Sequence, residues 1–587
     1  MMERIAGFST APIAIMAGGD RQLVLAFSDG LAILREGNLE YATRTRIDGA
    51  AEGPDRAIYL TRAGQVLRFD PAQGDRREDV TADFGGPVGG DGHVVRGPCG
   101  EIFVEGCSRY RRLNGTYDAL PVAADGTTPL PLATDTFGNR WSLRPDGAET
   151  RLLVLPANAP DLWQDVPVPG GRWAHLLADC DGFLWIGGPA GVHCWWPRDD
   201  YEPEWQAPEG VAAESALTAL TLSADDRVLL ATDSGVLLEL DIDAAGKTIE
   251  RRRGEVPDAA RSLHVDASAT IWAGTDDGLY RQPPLEGSWH VDWEAQPGRL
   301  PGGGNHDIFS VPWQGRLYTA GGLTRYWGFP TRQRIFDDLF AFDPTRGCWE
   351  VISTLSFPRR YNGIAELDGR IWIVGGEGEL GERGGEPTTL DVVDIYDPAT
   401  DTWTPGPTLN QVRTDPFVMT SGGRIWAVGG ACDPSTKLIS VESIGAGETA
   451  WRFEPDLPQP TRQGGCCALD GWLYVASIDG FFAFDTATGR WDEEVPQPGE
   501  IGQAPLVTAY QGEVWMMGGF HYGNTRCYHP KTRVWRAGAK LPTEQSWGAA
   551  AVLDGQLYIT GGAHRSQIHD AVIYDDRTWR LRQGVKA

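Results

Sequence analysis

The sequence predicts an all-β chain folded as two β-propellers in tandem, and three observations predict it. Short runs rich in Val, Leu, Ile, Trp and Tyr alternate with Gly, Asp and Pro clusters. The 75 Gly, 40 Pro and 23 Trp among 587 residues fit strands joined by tight turns. A stretch running Gly369-Arg370-Ile371-Trp372-Ile373-Val374-Gly375-Gly376 recurs in close copy at Gly315–Gly322, Gly423–Gly430, Gly512–Gly519 and Gly555–Gly562. A sixth copy, Gly471–Ser477, has lost the glycine pair and carries Ala476-Ser477 instead. A looser repeat fills the first half, and self-similarity at about 40–45 residues marks four-stranded propeller blades, which bury their faces only against neighbours.

The first-half unit is an acidic or small turn, a strand with Trp or branched residues, then Gly-hydrophobic opening another strand. It is clearest at Asp181–Val192 and Ser268–Tyr280. Turn positions 20, 55, 99, 138, 181, 225 and 267 lie 35 to 44 residues apart. Residues 1–290 are therefore expected to form a seven-bladed propeller. The Pro- and Gly-rich passage from Pro283 to Gly304 breaks the pattern, so a boundary is expected there, with 291–304 as linker and 305–587 as a six-bladed propeller.

In the second half each glycine pair is followed by a strand ending in an Asp-Pro type turn and then a Trp. Examples are Phe342-Asp343-Pro344 with Trp349, Tyr396-Asp397-Pro398 with Trp403, Phe484-Asp485 with Trp491, Tyr528-His529-Pro530 with Trp535, and Tyr574-Asp575-Asp576 with Trp579. Trp451 marks the third unit, which lacks the turn. Glycine pair, aromatic strand, turn and Trp in this order resemble kelch repeats, over about half of the chain. The first-half units are similar to the short propeller repeats of two-component regulators. Paired glycines let blades approach without a Cβ clash, and the aromatic residues fill the wedge between them.

Composition excludes several classes of function. With 80 acidic against 52 basic residues and a net charge of −28, nucleic acid and anionic membrane are not expected partners. No apolar run approaches the ~20 residues of a membrane helix. The nine cysteines are odd in number and contain no C-x-x-C, which predicts reduced thiols and a cytoplasmic protein, or a secreted or periplasmic one if a leader has been removed. Gly376-Glu377-Gly378-Glu379-Leu380-Gly381 fits G-x-G-x-x-G but follows a propeller strand and opens no helix, so it is not a dinucleotide site. Asp241 and Asp243 read as a turn, and His93, His175 and His264 as packing groups.

Kelch resemblance implies that the segment before each repeat is the innermost strand, beginning at the channel mouth. Nine residues before the reference glycines stand His306, Arg360, Thr414, Arg462, Gln503 and Ser546. Their flanks add Asn305, Asp307, Arg359, Tyr361, Asn362, Arg413, Asp415, Gln463, Gln545 and Trp547. Such groups ordinarily satisfy strand ends and channel water. Arg359, Arg360, Arg413 and Arg462 together suggest a clamp for a carboxylated guest, an acidic saccharide or small molecule. Gln503, Trp547, Tyr326 and Trp327 would complete its binding surface, the last two from the long loop of the first repeat.

Two functions follow. In one, the mouth processes an acidic saccharide by proton abstraction beside a carboxylate, as a lyase or an epimerase/mutarotase, with His306, Tyr361, His521 and His564 as candidate acid–base groups. His306, His521 and His564 come from three consecutive repeats and would hold a divalent metal, the one cofactor the sequence suggests. In the other, the propellers are a non-catalytic scaffold that recognises a protein partner or ligand.

Overall fold

The computed structural model describes residues 2–582 except for short stretches, the longest being 18–22, 71–76, 196–202, 208–215, 243–247, 285–291, 380–386 and 566–571. Every regular element among the described residues is a β-strand. The strands pair as antiparallel sheets of mostly four strands, in two successive sets. The second strands are buried on both faces, as in Arg370–Val374, where only Arg370 is exposed. Neighbouring sheets cover both sides of each sheet, which is why these strands read as unbroken apolar runs and not as alternation.

The first set has its inner strands at Ala14–Ala17, Gly49–Glu52, Val94–Arg96, Ala133–Thr134, His175–Ala178, Leu217–Leu222 and Ser262–Val265. Ala14–Ala17 touches Ser262–Val265, bringing the first and last of these sheets together. The last sheet takes its outer strand from the start of the chain: Glu3–Gly7 pairs with Gly278–Gln282. Asp135, Asp179 and Asp266 explain the recurring turn-then-Trp pattern. One oxygen of each accepts a turn backbone N–H (Asn139, Phe183, Thr270), and the other accepts the indole N–H of Trp141, Trp185 or Trp272 at 2.7–2.8 Å.

The second set has inner strands at Ser310–Trp313, Gly363–Leu367, Phe417–Ser421, Gly464–Leu469, Leu506–Tyr510 and Ala549–Leu553. Each touches the next, and the sixth touches the first, so the ring closes. Two expectations are corrected here. Trp579 lies on the third strand of the last sheet, Thr578–Leu581, and the outer strand is Trp293–Ala295, drawn from the segment expected as a linker. Trp293 is fully buried and donates its indole N–H to the carbonyl of Lys540. Other tryptophans in or next to the outer strands fasten a sheet to its predecessor in the same way, Trp451, Trp491 and Trp535 donating to the carbonyls of Pro407, Pro455 and Pro496.

The glycine pairs do what their spacing suggested. Gly375 has φ +60 and Gly376 φ +98, and the Gly376 N–H donates to the carbonyl of Arg413 in the next blade. Register in the fourth blade pairs Leu469 with Trp472, as Ser421 pairs with Arg424 in the third. The glycine pair is thus replaced by Ser477-Ile478, one position later than the sequence suggested. The two strands there, Trp472–Ser477 and Gly480–Asp485, join by a turn of only Ile478 and Asp479.

Candidate functional site

Five of the six positions counted from the glycines share one backbone feature. His306, Thr414, Gln503 and Ser546 bridge Leu323, Ala431, Phe520 and Ala563, while Arg360 pairs with Glu377. The fourth blade has no equivalent loop, and no such bridge is made at Arg462. The residue after each position is left-handed: Asp307 (φ 60), Tyr361 (φ 54), Asp415 (φ 52), Gln463 (φ 57), Ala504 (φ 53) and Trp547 (φ 52). Non-glycine residues enter this region only at a cost, which the surrounding structure must offset. Here the offset is a girdle of backbone hydrogen bonds between blades. Asp307 N–H donates to Trp547 O (2.8 Å), Asp415 to Tyr361 (3.0 Å), Ala504 to Gln463 (3.2 Å) and Trp547 to Ala504 (3.0 Å).

The residue before five of the six positions turns its side chain back into its own blade, the sixth being Gly502. Asn305 and Gln545 donate to the carbonyls of Gly321 and Gly561, and Arg413 to that of Gly429. This corrects the reading of Arg359 and Arg413 as ligand-binding residues. Both guanidinium groups are fully buried, Arg359 2.5 Å from Asp394 and Arg413 2.5 Å from the equally buried Glu442. Burial pulls both arginines below the usual guanidinium range, and the partner carboxylates oppose that pull. Arg360 lies at the mouth but is engaged by Glu377 through Nε (3.0 Å) and Nη2 (2.8 Å), and it stacks over the Tyr361 ring. Of the four arginines, Arg462 alone has no ion pair among the described residues. Sequence reasoning missed Asp394 and Glu442; the only signal was an acid following Val393 and Val441 in two third strands.

His306 and Asp307 are buried, with 10% and 1% of their side chains exposed, and Nδ1 approaches Oδ2 at 2.7 Å. That approach lacks hydrogen-bond alignment. Neither ring nitrogen of His306 and neither oxygen of Asp307 has a hydrogen-bond partner. His306 packs on Tyr574 at 4.1 Å and Trp547 at 6.2 Å between ring centroids. The Asp307 charge, then burial, pushes the Tyr361 phenol far above its ordinary range, so it remains a donor. Burial, and then Asp307, raise Asp415 well above the carboxylate range, and Arg462 only partly offsets this. Asp307, Tyr361, Asp415 and Arg462, from four successive blades, thus share one electrostatic cluster.

A stability prediction follows from Asp415. Its folded pKa exceeds the unfolded value of 3.8, so folding takes up protons there. The resulting stability is complete below pH 3.8 and is lost as pH rises through the folded value. Asp415→Asn, which suits a left-handed φ, is expected to raise Tm at pH 8 and to leave it nearly unchanged at pH 3.5, followed by thermal melts across that range. A variant less stable than the parent at pH 8 would show Asp415 to be a stabilising carboxylate.

The remaining expected residues are more scattered. Gln503 donates to Gln463 at 2.6 Å, and Trp547 packs on Phe520. Tyr326 ends the strand Leu323–Tyr326, with its side chain outside the described residues; Trp327 and His521 also lie outside them. His564 lies in the strand Ala563–Arg565 and interacts electrostatically with Asp575. Among the described residues no three His, Cys, Asp or Glu are grouped to hold a metal ion. In the first half, burial lowers His175 and brings His264 down to about 4, as neutral packing groups require.

Comparison with known proteins follows the same geometry. The family described as Kelch motif matches residues 358–410, from the end of the first blade's outer segment through the second blade. Beta-scruin of Limulus polyphemus is 24% identical over 241 residues, 39% of this chain and 22% of scruin. Kelch-like protein 25 of Xenopus tropicalis is 25% identical over 240 residues, 39% of each chain. Kelch repeat and BTB domain-containing protein 13 of Homo sapiens is 30% identical over 135 residues, 23% of this chain and 28% of that protein. The chain therefore spans well under half the length of these relatives. With that motif on the second blade, and the glycine pair and tryptophan clasp recurring around the ring, this part of the chain is similar to kelch-repeat proteins.

Proposed function

We propose that this protein is a non-catalytic recognition module whose kelch ring binds a protein partner on the face that carries the channel mouth. The observation that carries this reading is the fate of the arginines. Arg359, Arg360 and Arg413 are neutralised by Asp394, Glu377 and Glu442 of their own blades, so a clamp for a sugar carboxylate would first have to break ion pairs that are buried or nearly so. The similarity to scruin and Kelch-like proteins supports a scaffold on the same fold. The fourth blade has only a two-residue turn at this place, and its Ile478 is 58% exposed, an apolar side chain placed for contact.

The test has two arms. Purified full chain incubated with uronic-acid and sialic-acid oligosaccharides is expected to yield no new product; turnover of any of them would restore the lyase or epimerase reading. Affinity capture from cells with wild-type and Ile478→Arg baits is expected to show a discrete partner depleted at least about tenfold by the substitution. Identical capture profiles would remove the mouth face from the proposal.

A further inference from the structure

Resting on the recognition reading above, we infer that the mouth of the kelch channel is a pocket for a basic side chain, the lysine ammonium or arginine guanidinium of the bound partner. The central observation is Asp307. Its carboxylate is 1% exposed and held in place by a left-handed backbone and the girdle bond to Trp547; His306 Nδ1 lies 2.7 Å from Oδ2 but out of alignment, so neither oxygen accepts a hydrogen bond. A buried carboxylate left without an aligned donor is costly, and protein interiors rarely keep one unless water or a bound group supplies it.

The surroundings select a cation. Asp415, two blades on, is close enough to be influenced by Asp307, and Glu377 also acts on it. Against these stand Arg360, already engaged by Glu377, and Arg462. Asp307 is the foremost influence on Tyr361 and the foremost charge acting on Asp415, so an anion would meet that carboxylate first. An ammonium brings three donors and a guanidinium five, enough for the open oxygens of Asp307. Tyr361 and Trp547 lie in the same wall, packed against Leu323, Ala563 and Tyr574. Ile478 and Asp479 form a two-residue turn where the first blade carries the hairpin Leu323–Tyr326 with Phe329–Ile335, so the rim is open at the fourth blade and a partner's chain has a way in. A net charge of −28 favours encounter with basic segments.

The experiment titrates the full chain with N-acetyl-lysine methylamide, N-acetyl-arginine methylamide and N-acetyl-norleucine methylamide, read by calorimetry and tryptophan fluorescence. The basic probes are expected to bind in the millimolar range and norleucine at least about tenfold more weakly. Asp307→Asn, which keeps the shape and tolerates the left-handed backbone, is expected to weaken the basic probes at least about tenfold with Tm held. Asp415→Asn provides a second variant should the first fail to fold. Equal binding of norleucine and lysine, no binding of either basic probe at about 50 mM, or undiminished binding by a folded Asp307→Asn would overturn the pocket, leaving ordered water as what satisfies the cluster. Probe failure with capture still lost in Ile478→Arg removes the pocket and keeps the partner. Probe binding with unchanged capture keeps the pocket and removes the partner face.

Discussion

Arg413→Ala is expected to destabilise the protein by about 3–5 kcal/mol, measured by denaturant unfolding followed through tryptophan fluorescence. The substitution leaves Glu442, which has no exposed side-chain surface, as an uncompensated buried charge. It also removes the donor to the carbonyls of Gly429 and Ser440. Glu442 would keep only the two donations from Asn410, its backbone N–H and side-chain amide. Arg413→Met combined with Glu442→Gln is expected to recover more than half of the loss, since glutamine still accepts from Asn410 and no charge is stranded. A single variant that loses less than about 1 kcal/mol would mean that Arg413 is not the internal tie described above, and would reopen it as a ligand group.

Gly375→Ala is expected to cost as much or to prevent folding. A Cβ there would lie 2.6 Å from the carbonyl oxygen of Arg413, and φ is +60. That oxygen cannot retreat, because the Arg413 guanidinium is fixed by Glu442 and the carbonyl accepts from Gly376. Left-handed strain alone costs an alanine about 1–2 kcal/mol. Gly423→Ala isolates that term, since its φ is +70 and nothing lies within 4 Å of its added Cβ. Equal losses at the two glycines would show that the close approach between blades is not tight. The fourth blade shows how the requirement is relieved: Ser477 stands at the equivalent position without a left-handed φ, and its hydroxyl lies 2.5 Å from that of Thr461.

The repeats were legible because they are local. A glycine pair, a turn and a tryptophan within one blade can be read without knowing what lies beside them. Counting back nine residues also found the positions just before the left-handed girdle, since the inner strand precedes its glycines at a fixed distance. What it could not reveal was where each side chain points. Arg359 and Arg360 are neighbours, yet one turns into the blade toward Asp394 and the other remains at the mouth. Their fates depend on partners 35 and 17 residues away, across loops of unequal length. Trp293 was hidden for the same reason in extreme form, since its strand pairs with residues close to the other end of the ring.

That last pairing also bears on how the protein is made. The first ring is clasped by Glu3–Gly7 against Gly278–Gln282, so it can close once those residues leave the ribosome. The second must wait for Thr578–Leu581 to meet Trp293–Ala295. During that interval a completed ring stands beside five sheets whose sixth is unfinished, with the unpaired edge at Trp293–Ala295 exposed to other chains. Biosynthesis therefore passes through a stage in which one half is already safe from misassembly and the other is most open to it.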